Sequence, residues 1–183
     1  MSLAHALLTS LLEKSSSGYD LARRFDKSIG FFWHATHQQI YRELARMEAA
    51  GWIASKAAPD GGKTRKRLYS VLAAGKKELR RWAQEPSPEP DLRNELIVRL
   101  RADATIGPLG LEAEIKRHLA LHEAKLQAYR AIEQRDFSPD KLTTREARIQ
   151  HLILRTGLGY EEGWVAWSHE ALAVLRLSDN PAD

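Results

Sequence analysis

At Gly51 the spacing of apolar residues changes from three and four to two, and no other feature limits the possible folds so tightly. Before the glycine, FFWHATHQQIYRELARMEAAGW places Ile40, Leu44 and Met47 at i, i+4 and i+7, the stripe by which a helix buries one face. Thr36 stands before that stripe as N-cap, and Gln39 at the third helical position reaches back to it, a capping-box pattern. After the glycine, WIASKA and TRKRLYSV alternate with period two around Pro59-Asp60-Gly61-Gly62, residues that tolerate the backbone angles of a hairpin turn. The spacing thus predicts a capped helix that ends at the glycine and runs straight into a hairpin.

Two helices precede this pair. MSLAHALLTSLLEK sets Leu3, Leu7, Leu8, Leu11 and Leu12 on one helical face; lacking a basic n-region and a cleavage site, it reads as the first helix of the fold rather than a secretory leader. Ser15-Ser16-Ser17-Gly18 makes a tight turn, and GYDLARRFDKSIG follows with Leu21, Phe25 and Ile29 inward before Gly30 stops it. Beyond the hairpin, Tyr69 and Val71 continue the inward face, and AAGKKELRRWAQE packs through Leu79 and Trp82. Tyr19, Trp33 and Trp82 read as core or junction residues. Pro86, Pro88 and Pro90 in EPSPEPD then break regular structure, so we expect one domain over residues 1–85 and a second over residues 91–179.

Charge divides at the same place. The chain carries +4 overall, yet residues 1–85 hold 15 Lys and Arg against 8 Asp and Glu, while residues 86–183 hold 13 against 16. A +7 half is thus joined to a −3 half. The second half reads as helical throughout: LRNELIVRLRAD, then LEAEIKRHLALHEAKLQAYRAIEQ with Leu111, Ile115, Leu119, Leu126, Tyr129 and Ile132 inward. A long helix from Thr143 to about Leu177 carries Ile149, Leu152, Ile153, Tyr160, Trp164, Trp167, Ala171 and Leu175 along one side. Two long near-heptad helices with so little to cover them imply a second copy of the chain, hence a homodimer. Gly157, Gly159 and Gly163 each cost a helix roughly 1 kcal/mol relative to Ala, which close helix contact or a local break would explain.

The fold class expected is therefore mainly α, an N-terminal winged helix-turn-helix with a β-hairpin wing followed by an all-helical C-terminal dimerisation domain. In that arrangement the third helix enters a major groove of double-stranded DNA. His37 and Gln38 near its N-terminus face base edges, Arg42 reads guanine or holds phosphate, and Tyr41 and Arg46 extend the same polar surface. Lys63, Arg65, Lys66 and Arg67, four cations among five residues at the wing, anchor phosphates and supply salt-dependent affinity.

Several chemistries are excluded or unsupported. With no cysteine there is no disulfide, thiolate metal site or cysteine nucleophile. No apolar run approaches the roughly 18–20 residues that cross a bilayer. His118 and His122 stand at i, i+4, but Leu119-Ala120-Leu121 between them lacks the glutamate of a metalloprotease motif, and the pair reads as solvated or interfacial. Glu161-Glu162 and the scattered serines form no acid/base pair or nucleophile elbow. No catalytic residue, metal ligand or cofactor is expected.

The string GYDLARRF…FFWHATHQQIYRELARMEAAGWI…GGKTRKRLYSVLAAGKKELRRW resembles the PadR family of bacterial transcriptional regulators. The matching elements are Gly18-Tyr19, Phe32-Trp33, Gln39-Ile40-Tyr41 and Tyr69, in the family's order and spanning about residues 3–85. Arg42 stands where many members carry proline, and with LRNELIVRL and GYEEGWVAWSHEAL this is similar to the long-tailed subgroup. The resemblance implies a cytoplasmic, nucleoid-associated homodimeric repressor on an inverted-repeat operator, released by a small effector, phenolic or otherwise aromatic. In some members a planar ligand stacks on tryptophans between the C-terminal helices, which places Tyr160, Trp164 and Trp167 as effector-binding residues here. A transcriptional activator and a winged-helix protein-interaction module are the alternatives.

Overall fold

The helix α1 (Leu3–Glu13) turns Ala4, Leu7, Leu8 and Leu11 into a core that α2 (Gly18–Asp26) completes with Leu21, Ala22 and Phe25. Ile40, Leu44 and Met47 of α3 (His37–Ala49) and Ile53 of β2 (Ile53–Ala57) fill the remainder. This computed structural model describes residues 3–26, 35–57, 67–87 and 93–177. Leu12, expected inward, is exposed: Ser10 and Leu11 of the same turn are buried, so the core reaches this turn but is narrower than the face the leucines mark out. Tyr19 is likewise exposed rather than core, with the Arg23 guanidinium 5.6 Å above its ring. Ile29, Gly30, Trp33 and the turn at Pro59–Gly62 lie outside the described residues.

At nine residues α2 is shorter than the roughly 12–15 at which a helix holds itself in water, so its neighbours must fix it. Arg24 contributes by donating to the Lys14 carbonyl oxygen at 2.8 Å and to Ser16 Oγ at 2.6 Å, crossing the turn between α1 and α2. That turn contains a feature the sequence hides: Ser16–Ser17 form a two-residue strand, β1. It pairs antiparallel with β3 (Arg67–Val71), Ser16 opposite Tyr69, and β2 pairs on the other side of β3, Ser55 also opposite Tyr69. The sheet order is β1-β3-β2.

The helix α4 (Ala73–Ala83) closes the N-terminal unit, which spans Met1–Pro90. Leu79 packs on the core, and Trp82 stacks on His5 of α1 with ring centroids 4.5 Å apart. Glu78 accepts from both Arg81 and His5, and these hydrogen bonds, Arg81's foremost, hold its carboxyl down to about 2.

The second unit, Asp91–Asp183, is built from α5 (Glu95–Ile106), α6 (Glu112–Asp136), a short 3-10 turn at Pro139–Lys141, and α7 (Arg145–Leu175). Asn94 caps α5 through Oδ1, and Thr144 caps α7 by accepting from Ala147 N at 3.1 Å. The helices α6 and α7 form an antiparallel hairpin whose turn end is tied by His151 and Glu133, 2.7 Å apart, with Phe137 stacked on His151. Its core is two clusters: Leu96, Ile115 and Leu172 with Trp164 and Trp167 beside them, and Leu126, Tyr129 and Leu158 with Leu154 and Val165.

The expected single stripe on α7 is divided between two faces. Leu158, Leu172, Trp164 and Trp167 turn inward, whereas Ile149, Leu152, Ile153 and Tyr160 are exposed. Over 31 residues the drift between 3.6 and 3.5 residues per turn carries one apolar row away from another, so a helix of this length has room for both. Of the three glycines, Gly157 has a packing reason: a Cβ there would lie 2.9 Å from the buried Tyr129 ring. Gly159 and Gly163 meet nothing within 4 Å, and α7 runs through all three without a break.

Among the described residues the tightest glycine contact is in the first unit, where a Cβ on Gly75 would come within 2.3 Å of the Trp52 carbonyl oxygen, which also accepts from Leu72 N. Ala is the better helix former by about 1 kcal/mol, yet overpacking against fixed backbone costs roughly 1–3 kcal/mol. Gly75→Ala should therefore lower the denaturant midpoint of the N-terminal unit; a raised midpoint would show that α4 does not sit this close.

Candidate nucleic-acid interface and a buried histidine cluster

The orientation of α3 follows from its cap and its stripe. Gln39 N donates to Thr36 Oγ1 at 3.2 Å, and Thr36 N donates to Gln39 Oε1 at 2.8 Å, so both halves of the capping box form. Ile40, Leu44 and Met47 are fully buried. The helical period then turns the positions between them outward, and His37, Gln38, Tyr41, Arg42 and Arg46 are all exposed.

These five residues differ in what already holds them. His37 Nε2 lies 2.8 Å from Asp26 Oδ2 at the end of α2, which fixes the imidazole at the first turn of α3. Tyr41 rests its ring against Gly18, where a Cβ would come within 2.5 Å of Cε1; the glycine admits the ring and α2 packs closely on α3. Arg46 is taken up by Glu43, with three contacts between 2.6 and 3.1 Å, and its guanidinium lies 5.6 Å above the Trp52 ring. Gln38 and Arg42 make no side-chain hydrogen bond or ion pair among the described residues. They share a face at i, i+4 in the half of the helix nearest its capped end, where the macrodipole favours anions.

At the wing, Arg67 begins β3 and is exposed, while Lys63, Arg65 and Lys66 lie outside the described residues. Arg67 Nη2 donates to Glu48 Oε1 at 3.3 Å. Sequence reasoning passed over Glu48, Asp26 and Arg24. None of the three makes its contacts at a helical or hairpin spacing that periodicity can detect.

In the second unit, Tyr160, Trp164 and Trp167 come together on α7: Trp164 and Trp167 meet edge-on with centroids 5.0 Å apart, and Tyr160 and Trp164 are 6.4 Å apart. His122 of α6 stacks on Trp164 at 4.8 Å with the planes 4° apart. The reading of His118 and His122 as a solvated or interfacial pair is corrected for His122, which is buried inside its own chain and hydrogen-bonded through Nδ1 to the equally buried Glu161. The two residues are 39 positions apart, so helical spacing could not connect them. His118 stays nearer the surface, 3.3 Å from Glu114, and the described residues hold no cluster of three or more ligating side chains suited to a metal. Ser168, one turn beyond Trp164, is fully buried, and its hydroxyl has no hydrogen-bond partner among the described residues.

Comparison with known proteins accounts for both units. Residues 7–81 match the transcriptional regulator PadR-like family, and residues 92–176 match the family described as virulence activator alpha C-term. The chain is 38% identical to the probable transcriptional regulator Rv1176c of Mycobacterium tuberculosis, over 96% of its own length and 98% of the relative's. It is 28% identical to the negative transcriptional regulator PadR of Bacillus subtilis, over 94% of this chain and 97% of PadR. The structure of that PadR in complex with operator DNA superimposes with a TM-score of 0.80, covering 94% of this chain and 98% of PadR, and its complex with p-coumaric acid with 0.75. The virulence activator AphA of Vibrio cholerae gives 0.77 at 29% identity, covering 95% of this chain and 98% of AphA.

The buried His122–Glu161 pair makes a stability prediction. Removing one partner of a buried hydrogen-bonded pair leaves the other unsatisfied away from water, which costs about 1–3 kcal/mol and more where a carboxylate is involved. Glu161→Ala should thus shift the urea transition of the C-terminal unit to markedly lower concentration, and replacing both residues by leucine should cost less. A Glu161→Ala chain as stable as the parent would show that the pair does not hold α6 to α7.

Proposed function

Because the chain belongs to the PadR-like family of transcriptional regulators, we propose that it acts as a homodimeric repressor that occupies an inverted-repeat operator and leaves it when a small aromatic effector binds. The chain is a DNA-binding transcriptional regulator, and its family and relatives are regulators, not enzymes.

The observation that carries the reading is the unoccupied Gln38 and Arg42 face on a helix whose opposite side is sealed in the core. Gln38 can pair with an adenine edge and Arg42 with guanine, each through two hydrogen bonds. His37 is oriented by Asp26, and Tyr41, Arg46, Lys63, Arg65, Lys66 and Arg67 serve the phosphates. Residues 1–85 form the DNA-binding domain and residues 91–179 the dimerisation and effector domain. Repression is favoured by B. subtilis PadR, a negative regulator similar over nearly the whole chain. Activation is the second reading, favoured by AphA and by the activator family matched at residues 92–176.

A second copy is favoured by the apolar surface left open on the C-terminal unit. Leu152 is 63% exposed, Val98 67% and Ile106 74%, and Ile153 and Tyr160 are also exposed on α7. A large exposed apolar surface on a charged helical hairpin marks an interface. The effector reading rests on Tyr160, Trp164 and Trp167 lying together, on the unsatisfied hydroxyl of Ser168 nearby, and on the p-coumaric acid complex of a relative. An aromatic acid would release DNA only by preferring a dimer geometry that no longer matches the groove spacing. A bacterial regulator of this family works where its DNA is, and we place the protein in the cytoplasm on the nucleoid.

Operator binding should weaken linearly in log–log form with added salt, and changing Lys63, Arg65, Lys66 and Arg67 together to Ala should lower both the affinity and that slope. Gln38→Ala and Arg42→Ala should each narrow the gap between operator and scrambled duplex by about 1–3 kcal/mol. Salt-independent binding, or an unchanged gap in both variants, would contradict the assignment. Leu152→Asp with Ile153→Asp should halve the mass measured by light scattering; an unaltered mass would move the dimer seam elsewhere.

A further inference from the structure

Glu48 stands in the last turn of α3, where a carboxylate faces the partial negative charge of the helix's own C-terminus. A single oxygen of it, Oε1, accepts three donors: Ser55 N at 3.0 Å, the Ser55 hydroxyl, and Arg67 Nη2 at 3.3 Å. Ser55 lies on β2 and Arg67 on β3, so one atom of the recognition helix is joined to both strands of the wing. The Ser55 hydroxyl above all, with its amide and Arg67 after it, holds the carboxyl below the usual carboxylate range, and the acceptor keeps its charge near neutrality.

The fold does not need this bridge. Ile53 is already buried in the core, and Trp52 N donates to the Met47 carbonyl oxygen at 3.0 Å, so the backbone alone carries α3 into β2. The pairing of β1 with β3 and the packing of Tyr69 and Val71 on the core hold the base of the hairpin to the unit, and Glu48 adds a direct side-chain tie from α3 to both strands beyond that base. A helix and a wing that touch the same duplex act as two linked binding modules, and their combined affinity depends on geometry that lets both engage at once. We propose that Glu48 is a positioning residue that fixes the wing relative to the recognition helix, so that both meet one operator in a single pose. The proposal rests on the reading that α3 and the wing contact the same DNA.

A bystander carboxylate near phosphates predicts the opposite behaviour. Its removal would relieve repulsion and tighten binding to any sequence alike. A positioning carboxylate predicts loss on the operator with none on random DNA.

The test uses the full chain, an operator duplex selected from a random pool with the parent protein, and a scrambled duplex of equal length. Glu48→Ala, Glu48→Gln and the parent are each measured with and without Lys63→Ala, Arg65→Ala and Lys66→Ala combined. In the parent the wing changes should weaken operator binding by about tenfold or more, and in Glu48→Ala by less than about threefold, a coupling expected of groups acting as one unit. Glu48→Ala alone should weaken the operator complex about tenfold and leave the scrambled complex as tight or tighter. Glu48→Gln, which keeps an acceptor for Ser55, should fall between the two, and it carries the cycle should Glu48→Ala not fold. Equal wing effects in all three backgrounds would overturn the proposal while leaving the wing as a DNA contact. Wing changes without effect in the parent would remove the wing reading and this proposal together.

Discussion

Burial of Ile40, Leu44 and Met47 against Leu7, Leu8 and Leu11 decides which way the third helix faces, and the use of the N-terminal unit follows from it. A helix with one face fully sealed has no rotational freedom left, so Gln38 and Arg42 are presented outward by the same contacts that stabilise the fold. Losing any one large aliphatic from such a core costs about 2–5 kcal/mol, far more than any exposed contact on α3 contributes, and so packing holds the outward face of Gln38 and Arg42 steady. The secondary contacts refine rather than create that orientation: the Thr36–Gln39 box fixes the start of the helix, Tyr41 on Gly18 brings α2 alongside, and Glu48 reaches the wing.

The C-terminal unit is organised by a different balance. Its hairpin of α6 and α7 has two modest apolar clusters, and between them sits a buried polar pair, His122 with Glu161, capped by the Trp164 ring. A buried ionisable pair is an expensive way to gain stability, since desolvation offsets much of the attraction. Its contribution is to specify register: sliding α6 against α7 by a turn would leave both groups unpaired in an apolar setting. Gly157 adds to the same end by letting Tyr129 approach the α7 backbone. The apolar residues that the hairpin leaves outside, Leu152 and Ile153 on α7 and Val98 on α5, are then the surplus that a second copy would cover.

Much of this was legible in the residues because the deciding patterns are local. The cap at Thr36, the stripe on α3 and the hairpin strands are all read within a few positions of one another. What escaped is non-local or marginal in length. A two-residue strand at Ser16–Ser17 is visible only through its pairing with Tyr69 and Leu68, and Glu161 becomes a partner of His122 only once two helices fold back on each other. Leu12 and Tyr19 were misplaced for a simpler reason: periodicity names a face but not where the core beneath it ends. Arg42 and Arg46 differ in a way that spacing does show: Arg46 stands three residues after Glu43, a distance at which helical side chains meet, whereas Arg42 has no acid three or four positions away.

The central claim is that two copies of the chain present two such helices to one DNA site. Hydroxyl-radical footprinting on a duplex selected from a random pool, with the number of bound chains counted by light scattering, tests it most directly. Two protected patches related by a two-fold axis and centred about 10 bp or 34 Å apart, with two chains per duplex, are the predicted result. A single asymmetric patch bound by one chain would contradict the account.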